Sequence, residues 1–570
     1  MVIRRPVFAC FRVVVLCALV PAGMACSDSP ATVSPNTCDE GCVVDIFKDL
    51  STTYRPSYGE DAARVWVQQQ VSKAIDLGVW KADELSVTMD QSVDAANHTL
   101  KNVLVRVPGT GPYANLKPVA LQAHLDIVFA VDGAAPGQPL DGYYTSGVDV
   151  VEDGGVLHSR NYKTTLGADC GAGVAQMVRY LMDRTLAHPP LELCFTAAEE
   201  TGVVGALHWD SATLPLHAAA LINLDGWSST SVVEDDLNAP LAIQLGAAGA
   251  VVDSVDGQID GSAVAADATL VKLSLSGLLG GHSGFLIGRP RMNAIIAFAA
   301  LLQEAFTLDP DLRLVSINAG QVAARVGHNK IPTGFDAVFA ISSATTVAAL
   351  DTALHAFFTS YLATFTDESP AAVTLALDAI IAAVQPTALT TAATHTFVDT
   401  VRALPNGVIE ADPGSLGGWS VSSNIGVLGV NDGTANKAVF FGYTPRAFVL
   451  DKAQQVAAQI LGDLGNTEVS NLVDSKVVVP AWLVDRTTDI VVMAKAGAAI
   501  DHDMVLPAGT EPGAFVDKFP QLKDHVIGIA PAIVEAHTPR EAVAIQSFRD
   551  ATTALQNILV AFGNSTSFLH

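Results

Sequence analysis

The sequence predicts an α/β fold with a mostly parallel central sheet, interrupted by an inserted α+β domain. Three observations predict it. Strand-like and helix-like segments alternate from Val44 onward, as βαβ units require. Between about residues 236 and 462 the texture changes to Ala- and Val-rich stretches with few acidic clusters. Acidic residues, and one His, recur where strand-like runs end, the edge at which open α/β sheets gather functional groups. At 570 residues the chain is also too long for a single hydrophobic core.

In chain order, residues 1–25 read as a signal peptide. Arg4, Arg5 and Arg12 supply positive charge, residues 13–20 are apolar but too few to span a bilayer, and Gly23, Met24 and Ala25 lead to Cys26. Cys26 is the expected site of lipidation, in an imperfect lipobox with Gly23 where Leu is usual; simple cleavage is the alternative. Residues 26–43 form a tether, rich in Ser, Pro and Thr over 27–37. The expectation is an exported chain, either a bacterial lipoprotein of the cell envelope or a periplasmic or secreted protein, with Cys26 its one membrane anchor.

The first part of the main domain is expected over residues 44–235. Residues 61–77 have apolar positions at helical spacing, and 101–107 alternate with the period of a strand. Residues 118–128 form a strand that turns polar towards its end, 171–186 a helix, and 191–197 and 216–224 buried strands. The inserted domain is assigned to 236–462, and 463–570 complete the first domain.

Composition excludes more than it selects. Half of the residues are apolar and 16% are charged, which fits a folded protein and not a disordered one. A net charge of −26 disfavours nucleic acid and anionic membrane surfaces as partners. Of the seven cysteines, Cys38 and Cys42 are able to pair, whereas Cys170 and Cys194 sit in apolar runs as buried thiols. None has C-x-x-C spacing, so a thiolate zinc site is disfavoured.

Five clusters carry chemistry. His124 and Asp126 are two apart at a strand end and share a face, setting a carboxylate beside an imidazole; taken alone, a surface His–Asp pair is the commoner meaning. Asp169 is flanked by Gly167, Gly171 and Gly173, which permit close backbone approach, yet an Asp capping the following helix explains it equally. Glu199 and Glu200 follow an apolar strand; one can bind a metal while the other acts as general base, or both can be a solvated acidic loop. Asp225 ends another strand, and His537 lies in a late segment that also holds Glu535 and Glu541. Each is weak alone, but side chains ending successive α/β strands converge on one sheet edge.

The order His-x-Asp, Gly-Ala-Asp, Glu-Glu, Asp and a distant His resembles the co-catalytic zinc exopeptidases, and within them the bacterial aminoacyl-histidine dipeptidases. Thr164-Thr165-Leu166-Gly167-Ala168-Asp169 and Gly280-Gly281-His282-Ser283-Gly284 are the most specific parts of the likeness, which runs from about Val44 onward. The resemblance implies a zinc-exopeptidase catalytic domain interrupted by a lid domain, and hydrolysis of dipeptides. It implies two zinc ions, replaceable by other divalent metals. His124 and Asp225 would hold one, Glu200 and His537 the other, and Asp169 would bridge them. Asp126 would orient His124, and Glu199 would be the general base. His282, from this subunit or a second, would stabilise the oxyanion, Arg446 would hold the substrate carboxylate, and Glu511 would lie near the substrate. A homodimer through the lid is implied as well.

The chain also departs from that pattern. Cys170 stands where the dipeptidases have Asn, Gly226-Trp227 replaces an acidic stretch, and Pro507-Ala508-Gly509-Thr510-Glu511-Pro512-Gly513 keeps the glutamate of a family segment but not its histidine. These departures keep a carboxypeptidase or N-acyl amino acid deacylase open, with an inactive surface binding protein as a third possibility.

Overall fold

The computed structural model describes residues 38–132, 139–226, 236–320, 322, 327–343, 345–381, 386–431, 435–567 and 569. Cys26, with the rest of the expected signal and most of the tether, lies outside them, as does Trp227. Among the described residues no helix is long and apolar enough to cross a membrane. Cys38 and Cys42 form a disulfide, and Cys170 and Cys194 are buried free thiols.

The strand Val119–His124 is buried at every position. A strand covered on both faces has to be apolar throughout, and only Gln122 and His124 break the run. Leu191–Thr196 and Ala220–Asn223 run parallel to it on its two sides, and Val526–Gly528 is parallel to Ala220–Asn223. Antiparallel strands complete the flanks, Val103–Val107 and Ser86–Met89 on one side and Ile243–Ala247 on the other. Leu121, Leu193, Ile222 and Ile527 share a core with Val174 and Val178 of the helix Ala168–Met182 and with Phe548 and Leu555 of the helix Ile545–Gly563. Because the central strands are parallel, the segments that follow His124, Thr196 and Asn223 all emerge at one edge.

The second sheet has ten strands and is antiparallel at every pairing. Its long strand Gly249–Ala263 alternates buried and half-buried positions, the period-two pattern of a sheet with one face on a core. Helices Ala294–Leu308 and Thr391–Ala403 contribute Phe298, Leu301, Phe397 and Val401 to that core. The architecture is the expected one, a mixed α/β domain with a parallel centre and an inserted antiparallel domain.

The sheets divide the sequence differently from the expected boundaries. Ile243–Ala247 lies past residue 236 yet hydrogen-bonds in the first sheet, and Ser470–Val479 lies past residue 462 yet pairs with Gly249–Ala263 in the second. Pairing partners are a long-range property, and the Ala- and Val-rich composition is alike on both sides of each crossing. The strand expected over 118–128 also ends early, at His124, so that Leu125 and Asp126 belong to the loop beyond it.

Candidate metal centre

His124, Asp169, Glu200, Asp225 and His537 meet at the carboxyl edge of the parallel strands. His124 Nε2 is 3.3 Å from Asp169 Oδ1 and 3.6 Å from Asp225 Oδ1. His537 Nε2 is 3.2 Å from Asp169 Oδ2 and 3.0 Å from Glu200 Oε2. One carboxylate, that of Asp169, therefore reaches both groups with a different oxygen.

Local backbone explains how each side chain arrives. Gly167 takes a left-handed φ of 73°, and Asp169 with φ −80° and ψ 108° is not helical, so its carboxylate faces the histidines instead of capping the helix. A Cβ on Gly167 would lie 2.7 Å from the Arg55 guanidinium, and one on Gly173 2.7 Å from the Leu224 carbonyl. Glu199 and Glu200 sit on a single turn of 3-10 helix entered through Ala198 in the left-handed region. Asp225 follows Ala220–Asn223, and its carbonyl accepts from Gln244 Nε2 at 3.1 Å. His537 itself is left-handed, with φ 67°, in the loop before Ala542–Ala544.

The site holds an excess of acid. Burial alone would depress His124, but Asp126, Asp169 and Asp225 outweigh it and hold the imidazole well above its ordinary range. His537 follows the same logic through Glu200 and Asp169, although its side chain is 43% exposed and water weakens the pull. Burial opposes the ionisation of Asp169, yet the two histidines keep its carboxyl below the usual range. Glu199, Glu200 and Asp225 are pushed up, in each case first by burial and then by neighbouring carboxylates.

These residues suit metal ions. His124 Nδ1 lies 3.0 Å from the Asp126 carbonyl, a donor position, which leaves Nε2 as an acceptor facing the carboxylate oxygens of Asp169 and Asp225. Acceptors turned towards one another are stable only with a proton or a cation between them. Glu200 Oε1 is buried and has no hydrogen-bond partner among the described residues. Imidazole and carboxylate donors of this kind match zinc and other divalent ions. Cys170 adds a thiol within 4.8 Å of ligand atoms of His124 and Asp225, though its Sγ is 3.4 Å from the Leu224 carbonyl, to which it donates.

Asp126 sits behind this group and is fully buried. Its carboxylate is 3.6 Å from His124 Nδ1, and it accepts from the backbone N–H of Glu199 at 3.0 Å and of Glu200 at 3.2 Å. Two supporting residues were not singled out in the sequence. Ser57 Oγ donates to Asp126 at 2.7 Å, and buried Glu60 accepts from Ala198 N at 2.9 Å. Both stand in an early segment with no motif around them; only the three-dimensional fold identifies them.

The inserted domain contributes His282 and Arg446. His282 Nδ1 accepts from Gly284 N at 3.2 Å, which places the ring proton on Nε2, and burial with the charges of Arg446 and His537 lowers its pKa well below the ordinary range. Arg446 is buried, its Nε has no hydrogen-bond partner among the described residues, and burial lowers its pKa to about 10. Glu511, expected near the substrate, stands close enough to His124 and Asp225 to feel their charges. It is fully buried, accepts from Thr196 Oγ1 at 2.9 Å and from Gln122 Nε2, and burial raises it to about 8. At the start of the same segment, the Pro507 carbonyl packs against Gly284 of the His282 loop, only 2.2 Å from where a Cβ would stand.

No family model matches the chain. It is 28% identical over 530 residues to the cytosol non-specific dipeptidase of Escherichia coli, covering 90% of this chain and 96% of that protein. Its fold is similar to that of the aminoacylhistidine dipeptidase of Vibrio alginolyticus, with a TM-score of 0.64, 24% identity, and coverage of 93% and 98%. A tripeptidase of Staphylococcus aureus has a TM-score of 0.52 at 11% identity, with coverage of 93% and 100%. The resemblance read in the motifs thus extends over nine-tenths of the chain. The expectation of export, with lipidation at Cys26, is overturned by the same comparison, because the relative matched over that length is named for the cytosol.

Proposed function

We propose that this relative of the bacterial dipeptidases is itself a metal-dependent dipeptidase working through a two-zinc site. The observation that carries the proposal is the carboxylate of Asp169, with one oxygen 3.3 Å from His124 and the other 3.2 Å from His537. His124 and Asp225 would hold one zinc, Glu200 and His537 the other, and Asp169 both. When bound, the two ions would polarise the peptide carbonyl and make water acidic enough to lose a proton near neutrality.

The protein's own groups would do the rest. Glu199, displaced upward by burial, is suited to take a proton from the attacking water and return it to the leaving amine as the C–N bond breaks. Asp126 would fix the His124 ring and, through the Glu199 and Glu200 amides, the turn that carries the base. Neutral His282 would donate Nε2–H to the carbonyl oxygen as negative charge develops on it. Arg446, buried and with an Nε that has no hydrogen-bond partner among the described residues, would bind the carboxylate of a dipeptide. A homodimer through the inserted domain belongs to the same proposal, supported by the edge strand Ser470–Val479, which is exposed along most of its length.

The test is hydrolysis by the full chain of a panel of aminoacyl-histidine and other dipeptides, N-acyl amino acids and longer peptides, with and without zinc. Asp169→Ala serves as the control. Zinc-dependent cleavage of dipeptides, absent from the variant, is the expected result. Cleavage of acyl amino acids alone would move the substrate class, and no zinc uptake at all would end the metallopeptidase reading.

A further inference from the structure

Four consecutive backbone N–H groups, those of Leu166, Gly167, Ala168 and Asp169, point at one side chain. Glu541 Oε2 accepts from Leu166 N and Gly167 N, each at 3.0 Å, and Oε1 accepts from Ala168 N at 2.8 Å and Asp169 N at 3.2 Å. Glu541 is 1% exposed. The first N–H groups of a helix have no partner within it, and here the non-helical backbone at Asp169 prolongs that need. A residue more than 370 positions away in sequence meets all four.

The opposite side of the same turn is held by Arg55. It donates from Nη2 to the Gly167 carbonyl at 2.8 Å and from Nη1 to the Leu125 carbonyl at 3.0 Å, between His124 and Asp126. Glu541 therefore grips the N–H side of the turn and Arg55 the C=O side. Glu541 also stands four residues after His537, and the intervening chain is folded back by Thr538 N to Glu535 O and Glu541 N to Thr538 O, both 3.1 Å. One short loop thus carries both His537 and the anchor of Asp169.

We propose that Glu541 is a positioning residue: by clamping the turn Leu166–Asp169 to the His537 loop, it fixes where the Asp169 carboxylate stands between His124 and His537. The inference rests on the two-metal reading above and goes beyond it, since Glu541 touches neither metal nor substrate. A glutamine at this position would offer one acceptor oxygen and turn an amide donor towards two N–H groups. An aspartate would keep the charge but draw it back by one methylene.

The experiment compares the parent chain with Glu541→Gln and Glu541→Asp in three readouts. Amide hydrogen exchange on the metal-free proteins follows residues 166–169, calorimetry follows zinc binding, and steady-state kinetics follow a dipeptide that the parent hydrolyses. In Glu541→Gln, exchange in the turn is expected to rise at least about tenfold while the rest of the chain is unchanged, and zinc affinity to fall about 10- to 100-fold. The dipeptide kcat should fall with KM unchanged, and Glu541→Asp should lie between. Unchanged exchange would overturn the clamp, and faster exchange with zinc affinity intact would overturn its role in positioning Asp169. If Glu541→Gln does not fold, Glu541→Asp decides by the same criteria. A parent chain that binds no zinc would refute the metallopeptidase reading and, with it, the positioning role, whatever the exchange shows.

Discussion

The two ends of the parallel strands bury charge in opposite ways. At the amino end Glu192 is buried, and its carboxylate is filled by Arg106 Nε at 3.2 Å and the N–H groups of His217 and Ala218, both at 2.9 Å. His188 sits nearby and burial lowers its pKa to about 4, so it is neutral. At the carboxyl end, Asp169, Glu200 and Asp225 face two histidines and one another, and Glu200 Oε1 has no partner among the described residues. A buried carboxylate surrounded by amide protons is finished architecture, whereas one surrounded by lone pairs calls for a cation. Asp126, Glu60 and Glu541, which ring the carboxyl end, belong chemically with Glu192: their oxygens are occupied by backbone donors and, at the second oxygen of Glu60, by Arg64.

On that contrast, substitutions at the carboxyl edge should act on metal and turnover, in a graded order. Asp169→Ala should have the largest effect, removing bound zinc measured by elemental analysis and taking hydrolysis to background. Glu199→Gln should retain zinc but lose about 10²- to 10⁴-fold in kcat, the range of a lost general base. If kcat does not change, Glu199 is not the base. Asp126→Asn, which keeps the shape but weakens the hold on His124 and on the Glu199 turn, should cost about 10- to 100-fold in zinc affinity or activity.

At the amino edge the expected effect on turnover is none, and the signature is pH-dependent stability. The folded chain keeps His188 neutral down to about pH 4, whereas the unfolded chain protonates it near 6.5. Between those values the unfolded state binds the extra proton, so stability falls as the pH drops through this window, by up to about 3 kcal/mol. His188→Gln should leave kcat unchanged and flatten the dependence of urea midpoints over that range. A variant with the parental slope would mean that other groups set it.

Much of this was legible before any coordinates. A buried strand announces itself by an unbroken apolar run, and an acid or His at its end then stands out, which is why His124, Glu200 and Asp225 were readable. Asp169 was not decided by its neighbours alone, because a helix cap uses the same residue at the same place; only the φ of Gly167 and the facing histidines separate the two. Glu541 lay in a segment noted for His537, but nothing local says that its carboxylate meets amides near residue 167. Glu511 was legible as an acid and not as a buried one, since its partners Gln122 and Thr196 lie on two other strands. Sheet membership near the limits of the inserted domain is long-range in the same way, with Ile243–Ala247 paired in the first sheet and Ser470–Val479 in the second.

The position of Val526–Gly528 in the sheet has a meaning in time. It lies between Ala220–Asn223 and Ile243–Ala247, so the middle of the first sheet is closed by a strand synthesised about 300 residues after its neighbours. On the ribosome, the inserted domain can finish its own antiparallel sheet while the first sheet still has a gap. His537 and Glu541 come after that strand, so the acids at the carboxyl edge wait for their last imidazole and their clamp until those positions have been synthesised. A chain released before residue 537 would carry the acids without the groups that organise them.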